Sequence, residues 1–261
     1  MNMLDFELFG EGNRGDTVVI AHGLFGSRKN WRTIAKIFSQ TGRKIVVVDM
    51  RNHGNSFWSD SHSYEDLGYD LKHIIRKFGD KADLIGHSMG GKGAMALALT
   101  STETIRKLVV VDISPVNYTH DWSDYISAMQ SVDFASIANR KDLDDQLKTS
   151  IGDSGIRSFL IQSADISNES GSRWLMNLAS LQRNLPNIMG FPHFKTTNVL
   201  PCLFIRGSIS TYVLDRHLPL IRKYFPNVKL NTIDRAGHWV HAERKEEFCK
   251  LVLSFLDGVV R

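Results

Sequence analysis

The stretch LIGHSMGG, residues Leu84–Gly91, is the strongest indicator of the fold of this chain. A short apolar run precedes a G-x-S-x-G pattern, and the alanine- and leucine-rich segment that follows is typical of a helix. A strand, an abrupt turn and a helix in this order predict a nucleophile elbow, which raises a serine hydroxyl above the edge of a sheet. Glycines on both sides leave the space that such a turn requires. Ser88 is therefore the candidate nucleophile.

Predicted strands and helices alternate on both sides of this elbow. Thr17–Ala21, Lys44–Val48 and Lys107–Val111 are β-branched runs typical of strands that are covered on both faces. The pattern resumes at Pro201–Arg206 and Val228–Ile233, and apolar residues recur at helical spacing between the strands. The alternation predicts an α/β fold with a mostly parallel central sheet, flanked by helices that form right-handed crossovers.

The segment from residue 116 to residue 194 has a different character. It lacks strong β runs and contains helical patterns rich in Asp, Ser and Asn, together with several aromatic residues. It is too long for a loop and too apolar for a disordered linker. We therefore predict a helical cap at residues 116–194, inserted over the carboxyl ends of the strands, where open α/β sheets bind ligands. Residues 1–115 and 195–261 then form the core.

Composition and charge limit the classes of partner. The 261 residues are enough for one α/β domain with an insertion, and the net charge of +4 comes from scattered Lys and Arg residues, so we expect no nucleic-acid partner. The apolar runs have the length of strands, which predicts no membrane span, and the first residues lack signal-peptide features. Cys202 and Cys249 are expected to be reduced. These features favour a cytoplasmic protein, and leave a monomer and a dimer equally open.

A general base has to be chosen from ten histidines. His238 is the candidate because it follows the last predicted strand and comes directly after Gly237. This is the place that the chain order Ser, Asp, His predicts for the base of an elbow hydrolase. His22, His87 and His241 are expected to orient or pack against their neighbours.

Four motifs in the same order carry a family resemblance: HGLFGS at 22–27, DMRNHGNS at 49–56, GHSMGG at 86–91 and AGHWVH at 236–241. They resemble the α/β-hydrolase superfamily, and with VDISP at 111–115 they resemble the small YbfF-type esterases within it. The resemblance covers nearly the whole chain outside the predicted cap. It implies a serine hydrolase that acts on small-molecule carboxylic esters or acyl thioesters, a chemistry that requires no cofactor and no metal.

The acid is where this chain departs from the family pattern. In many members the acid follows the strand after the cap, within R-G-x-x-D, and in Arg206–Ser210 of this chain Ser210 occupies the acid's place. A hydroxyl cannot supply the negative charge that stabilises an imidazolium. Some branches carry the acid after the strand that follows the elbow, where this chain has Asp112. We predict Asp112 as the acid, with Asp215 as the alternative.

Two further groups complete the predicted site. The backbone N–H groups of Leu24 and Met89 are expected to form the oxyanion hole, because they follow the His-Gly pair and the nucleophile. Aromatic and apolar residues on nearby loops or on the cap are candidates for the substrate wall, although such residues on cap helices more often belong to a core: Phe25, Trp122, Met129, Phe134, Trp174, Tyr212 and Trp239.

Two other functions stay open from the sequence. The same triad could cleave an amide or a carbon–carbon bond, or the chain could be a non-catalytic ligand-binding protein on this fold. An Asp112 remote from His238 would favour the second of these. Dehalogenases and epoxide hydrolases of this fold use an aspartate nucleophile, so Ser88 argues against both.

Overall fold

The computed structural model describes residues 2–166 and 171–259. Within them the strands are β1 (Phe6–Phe9), β2 (Thr17–Ala21), β3 (Lys44–Val48), β4 (Ala82–His87), β5 (Ile105–Val111), β6 (Ala164–Asp165), β7 (Arg173–Trp174), β8 (Cys202–Gly207) and β9 (Val228–Ile233). The α-helices are α1 (Arg32–Ser39), α2 (Tyr64–Phe78), α3 (Met89–Thr100), α4 (Ser123–Gln130), α5 (Arg140–Leu147), α6 (Ser154–Ile161), α7 (Leu178–Arg183), α8 (Leu185–Met189), α9 (Leu218–Tyr224), α10 (Val240–Glu243) and α11 (Lys245–Leu256).

Seven strands form one sheet in the order β1-β3-β2-β4-β5-β8-β9. Strand β1 is antiparallel to β3 at one edge, and the other neighbouring pairs are parallel. The elbow strand β4 lies in the middle of the sheet, so helices on both faces bury it. The predicted α/β fold with a mostly parallel sheet is confirmed.

Alternate side chains of each central strand enter two separate hydrophobic layers. Val18 and Ile20 of β2 pack in the layer that includes α1 and α11, whereas Val19 and Ala21 pack in the layer that includes α2, α3 and α9. These four side chains are 0% exposed. Burial of a valine or isoleucine side chain contributes about 1.5–3 kcal/mol, so two covered faces explain why these strands are continuous apolar runs.

The chain between β5 and β8 contains α4 to α8 and a feature that the sequence did not predict. Strands β6 and β7 pair antiparallel as a two-residue ribbon, although no strong β run marks either of them. Met176, shortly after β7, also bridges to His53 in the loop after β3. We call the chain between β5 and β8 the inserted segment, and keep residues 116–194 as the proposed limits of a cap.

Near the carboxyl end, α10 and α11 are separate helices, because the chain departs from helical geometry at Arg244 between them. Of the residues that the structure describes, none belongs to a helix long and apolar enough to cross a membrane.

Candidate active site

Ser88 lies on a strained turn between β4 and α3. Its φ of 51° and ψ of −121° fall in a region that L-residues rarely adopt, as is usual for a functional turn. A Cβ on Gly86 would lie 2.4 Å from the carbonyl oxygen of Gly90, and one on Gly90 would lie 2.5 Å from that of His22. Both positions therefore exclude a side chain, which is the physical reason for the glycines of the motif.

Parallel pairing brings the predicted site residues to one edge of the sheet. His87 at the end of β4 pairs with Val111 at the end of β5, and the next residues are Ser88 and Asp112. Strands β8 and β9 continue the sheet beyond β5, and His238 lies in the loop between β9 and α10. The nucleophile, the acid and the base candidates thus follow the carboxyl ends of strands that are near neighbours, the usual place for ligands in such sheets.

Asp112 and His238 are hydrogen-bonded. Nδ1–H of His238 donates to Oδ2 of Asp112 over 2.8 Å, and the Asp112 side chain is fully buried. The carboxylate also accepts the N–H of Gly207 at 3.1 Å and the hydroxyl of Ser210. The serine that occupies the usual acid position therefore binds the displaced acid. Three donors thus satisfy the oxygens of this buried carboxylate.

The alternative acid lies elsewhere. The Asp215 side chain is 82% exposed and accepts a hydrogen bond from Nη1 of Arg206 at 2.8 Å. It belongs to a short 3₁₀ turn before α9 that faces solvent. The structure thus brings Asp112 and not Asp215 to His238.

The nucleophile and the base line the same cavity. Ser88 and His238 both lie on its wall, and the bond from Nδ1 to Asp112 leaves Nε2 of His238 as the nitrogen that can accept a proton. Within residues 2–166 and 171–259 the Ser88 hydroxyl forms no hydrogen bond with His238. Such contacts are often long without substrate and tighten when it binds.

The two predicted oxyanion donors are on the wall of this cavity as well. Leu24 follows the end of β2, and Met89 is the first residue of α3. The first N–H groups of a helix have no partner within it, and the helix dipole favours negative charge there. A backbone N–H at Met89 is therefore suited to an oxyanion.

Two buried histidines hold the loop that carries Leu24. Nε2 of His53 accepts the N–H of Phe25 at 3.2 Å. Nε2 of His22 accepts the N–H of Met50 at 2.9 Å, while its Nδ1–H donates to the carbonyl of Gly23 at 2.8 Å. A ring nitrogen that accepts a hydrogen bond carries no proton, so both rings are neutral in this arrangement.

Burial also disfavours the charged forms of these rings. Desolvation lowers the pKa of His22 from its ordinary 6.5 to about 4, and lowers the pKa of His53 to about 3. Desolvation likewise lowers the pKa of His241 to about 3. His241 stacks on Trp31 with ring centroids 4.2 Å apart, and its Nδ1 is buried with no hydrogen-bond partner in the described part of the chain.

We expect the free energy of unfolding to fall as the pH decreases below about 6.5, because the unfolded chain then binds protons that these folded rings exclude. Each ring contributes a slope of about 1.4 kcal/mol per pH unit between its folded and unfolded pKa values. His241→Phe keeps a flat ring against Trp31 and removes one titrating group, so the slope should flatten by about that amount. Urea unfolding across this pH range measures it, with the exposed His193→Gln as the control. An unchanged slope in His241→Phe would contradict the role given to this ring.

An open cavity of about 590 Å³, part of it continuous with solvent, extends over Ser88 between the sheet edge and the inserted segment. Most of its wall is apolar, as is usual for small-molecule sites. Among the residues predicted for the wall, those that line it are Phe25, Trp122, Tyr212 and Trp239. The inserted segment also contributes Ile156, Phe159, Leu160 and Ile188.

The structure places three of the predicted wall residues away from the cavity: Trp174, Met129 and Phe134. Nε1–H of Trp174 donates to the carbonyl of Met129 at 2.7 Å, and the Phe134 ring meets the Trp174 ring edge-on at 5.5 Å. Among the described residues that line the cavity, none of the three appears. They pack together inside the inserted segment, because a large aromatic ring on a small helical unit is needed for that unit's own core.

Lys92 is a buried group at the site that was not predicted from the sequence. It lies one turn after Ser88, and its ammonium donates to the carbonyls of Met189 at 3.0 Å and Gly190 at 2.5 Å. It also lies 4.8 Å from the ring centroid of Tyr118, and burial lowers its pKa to about 7. Lys92 thus ties the nucleophile's helix to the end of α8. A lysine within an otherwise apolar helix was the signal for it.

Comparisons with known proteins agree with this geometry. The family described as alpha/beta hydrolase fold matches residues 16–135. The chain is 41% identical over 249 residues to the sn-1-specific diacylglycerol lipase ABHD11 of Mus musculus, and the aligned residues cover 92% of this chain and 80% of that protein. It is 33% identical over 244 residues to Esterase YbfF of Escherichia coli strain K12, covering 92% of each. The solved structure of a marine microorganism esterase matches with a TM-score of 0.92 at 35% identity, covering 98% of this chain and 100% of that one.

Proposed function

Because this chain belongs to the α/β-hydrolase family and is a carboxylic ester hydrolase, we propose that Ser88, His238 and Asp112 form its catalytic triad. The relatives named as lipases and esterases support small-molecule esters as its substrates. The observation that carries the assignment of residues is the 2.8 Å hydrogen bond between His238 and Asp112, at the wall of the cavity that Ser88 also lines.

In the proposed reaction, Ser88 attacks the acyl carbonyl while Nε2 of His238 takes its proton. Asp112 holds the other ring nitrogen protonated and stabilises the imidazolium that forms. The N–H groups of Leu24 and Met89 receive the negative charge of the tetrahedral intermediate. His238 then gives the proton to the leaving alcohol, and a water molecule hydrolyses the acyl-enzyme by the same route.

Ester hydrolysis is favoured over the other functions that the sequence left open. Lipase and esterase relatives support ester cleavage rather than cleavage of an amide or a carbon–carbon bond. A non-catalytic protein on this fold would be expected to have a damaged triad, whereas His238 here has a buried carboxylate partner. An acyl thioester remains a second proposed substrate, because the same attack on the carbonyl releases a thiol.

We expect turnover to rise with acyl length from acetate to butyrate and to fall for palmitate. Each methylene that enters the apolar cavity contributes about 0.8 kcal/mol, or about fourfold in kcat/KM, until the cavity is full. Measurement of kcat/KM on the p-nitrophenyl acetate, butyrate, octanoate and palmitate series tests this, with acyl-CoA thioesters of the same lengths in parallel. An enzyme that is most active on palmitate would contradict a short-to-medium acyl pocket, and turnover of thioesters alone would replace esters as the substrate class.

The scattered Lys and Arg residues support the proposal that the chain has no nucleic-acid partner. Cys202 and Cys249 are free and buried, which supports the proposed cytoplasmic location, where thiols are kept reduced. Hydrolysis by the proposed triad requires neither a cofactor nor a metal ion.

A further inference from the structure

The ring of Tyr212 lies face to face with the imidazole of His238. Their centroids are 3.9 Å apart and their planes differ by 22°. The His87 ring lies near the same imidazole, at a centroid distance of 4.7 Å and an angle of 43°. Tyr212 was predicted for the substrate wall and does line the cavity, but its closest ring contact is with the proposed base.

A single hydrogen bond does not fix the orientation of the base. The bond between Nδ1 of His238 and Asp112 holds one atom of the ring, while the ring can still turn about the line that joins these two groups. Such a turn would move Nε2 away from Ser88. A nearly parallel ring at van der Waals distance opposes it, because the edge of the turning imidazole would collide with Tyr212.

Tyr212 is itself held at both ends. Its hydroxyl is hydrogen-bonded to Nε2 of His120 at 2.9 Å. Its carbonyl accepts the hydroxyls of Tyr118 at 2.6 Å and Ser114 at 3.1 Å, and its N–H donates to Oγ of Ser210 at 3.3 Å. The Ser210 hydroxyl is the one that donates to the acid. The stacked ring therefore has a fixed place relative to both members of the acid–base pair.

We propose that Tyr212 is a positioning residue that fixes the plane of the His238 imidazole, so that Nε2 faces Ser88. This inference rests on the proposed function. The flat face of Tyr212 supplies the effect, and the hydroxyl bonded to His120 anchors that face from the inserted segment. Small misplacements of a catalytic group reduce the rate strongly, so the ring contributes to kcat without touching the scissile bond.

The test is steady-state kinetics on p-nitrophenyl acetate, whose acetyl group makes the least use of the apolar cavity. We expect Tyr212→Ala to lower kcat by about 10- to 100-fold. KM should change by no more than about threefold, because a positioning contact acts on the transition state. Tyr212→Phe, which keeps the flat ring, should recover most of the kcat. Tyr125→Ala is the matched control, since this half-buried tyrosine of α4 packs on Trp122 at 5.1 Å rather than on the base.

A second variant and a labelling experiment distinguish positioning of the base from substrate binding. Tyr212→Leu keeps apolar volume without the flat face, and replaces Tyr212→Ala in the kinetic test if that variant does not fold. The rate at which a fluorophosphonate labels Ser88 reports activation of the nucleophile, and should fall in parallel with kcat.

A raised KM with wild-type kcat in the Ala and Leu variants would overturn the inference and leave Tyr212 as substrate wall. A wild-type protein inert to esters and to the fluorophosphonate would overturn the proposed function, and this inference with it.

Discussion

Ser88→Ala is expected to lower kcat on p-nitrophenyl butyrate by about 10⁵-fold or more, because the covalent route through the acyl-enzyme is lost. The remaining rate would come from substrate binding and from the N–H groups of Leu24 and Met89, which the substitution leaves in place. KM should change little, since the alanine removes one hydroxyl from a mostly apolar cavity. Steady-state release of p-nitrophenol at high enzyme concentration measures the residual rate.

Ser39→Ala controls for the loss of a serine hydroxyl outside the site. Ser39 ends α1 and its hydroxyl donates to the carbonyl of Lys36 at the surface, so this variant should keep wild-type kcat. Both variants should remain folded and unfold cooperatively. At position 88 the backbone keeps the positive φ that serine already adopts, so alanine introduces no new backbone conformation. Undiminished turnover in Ser88→Ala would mean that another group attacks the ester, and the proposed mechanism would be wrong.

Much of the fold was predictable because the central strands are buried on both faces. A strand between two helical layers has to be apolar at nearly every position, and this requirement is visible in the local sequence. The bounds predicted for Thr17–Ala21 and Lys44–Val48 are those of the central strands β2 and β3, and the bounds predicted for Val228–Ile233 are those of the half-buried edge strand β9. The ribbon of β6 and β7 was missed because two-residue strands in a small unit leave no such pattern.

The parts of the site differ in how far the sequence could predict them. The elbow is a local motif, since the glycines around Ser88 are required by contacts within a few residues and with the adjacent strand. The contact between the acid and the base depends on the order of the strands. Asp112 approaches His238 only because β8 and β9 continue the sheet beyond β5. The sequence could rank Asp112 above Asp215, but the bond from Ser210 to the carboxylate depends on tertiary structure.

The substrate wall was the hardest part to predict. Side chains of the inserted segment either fill its own small core, as Trp174 does, or face the cavity, as Trp122 does. Both kinds of position are apolar and both occur beside helices, so hydrophobic periodicity does not separate them. Tyr212 shows the same ambiguity, since an aromatic ring beside a catalytic loop contacts either substrate or base.

Asp112→Asn is expected to lower kcat by about 10³- to 10⁴-fold near pH 7. An amide carries no negative charge to stabilise the imidazolium of His238. Its NH₂ group would also face one of the donors that now surround the carboxylate, the N–H of Gly207 and the hydroxyl of Ser210. The backbone should be preserved, because Asp112 has a φ of 49° and asparagine tolerates this left-handed region well.

Asp215→Asn is the matched control, because its exposed carboxylate pairs with Arg206 away from the cavity. We expect its kcat/KM to stay within about twofold of wild type, as is usual for a surface ion pair. An inactive Asp215→Asn beside an active Asp112→Asn would show that the acid assignment is wrong, while ester hydrolysis itself would stand.

A double variant tests whether the carboxylate rather than the residue at 112 is what the base requires. The Ser210 hydroxyl and Nδ1 of His238 bind the same oxygen, Oδ2 of Asp112, so a carboxylate at position 210 would lie close to the imidazole. Asp112→Asn/Ser210→Asp should therefore recover about tenfold or more of the kcat lost in Asp112→Asn, as expected for residues in direct contact, whose effects do not add. Ser210→Asp alone should be less active than wild type, because two buried carboxylates that share one histidine repel each other and one of them takes up a proton. If the double variant is no more active than Asp112→Asn, the position of the acid directly after β5 is itself essential.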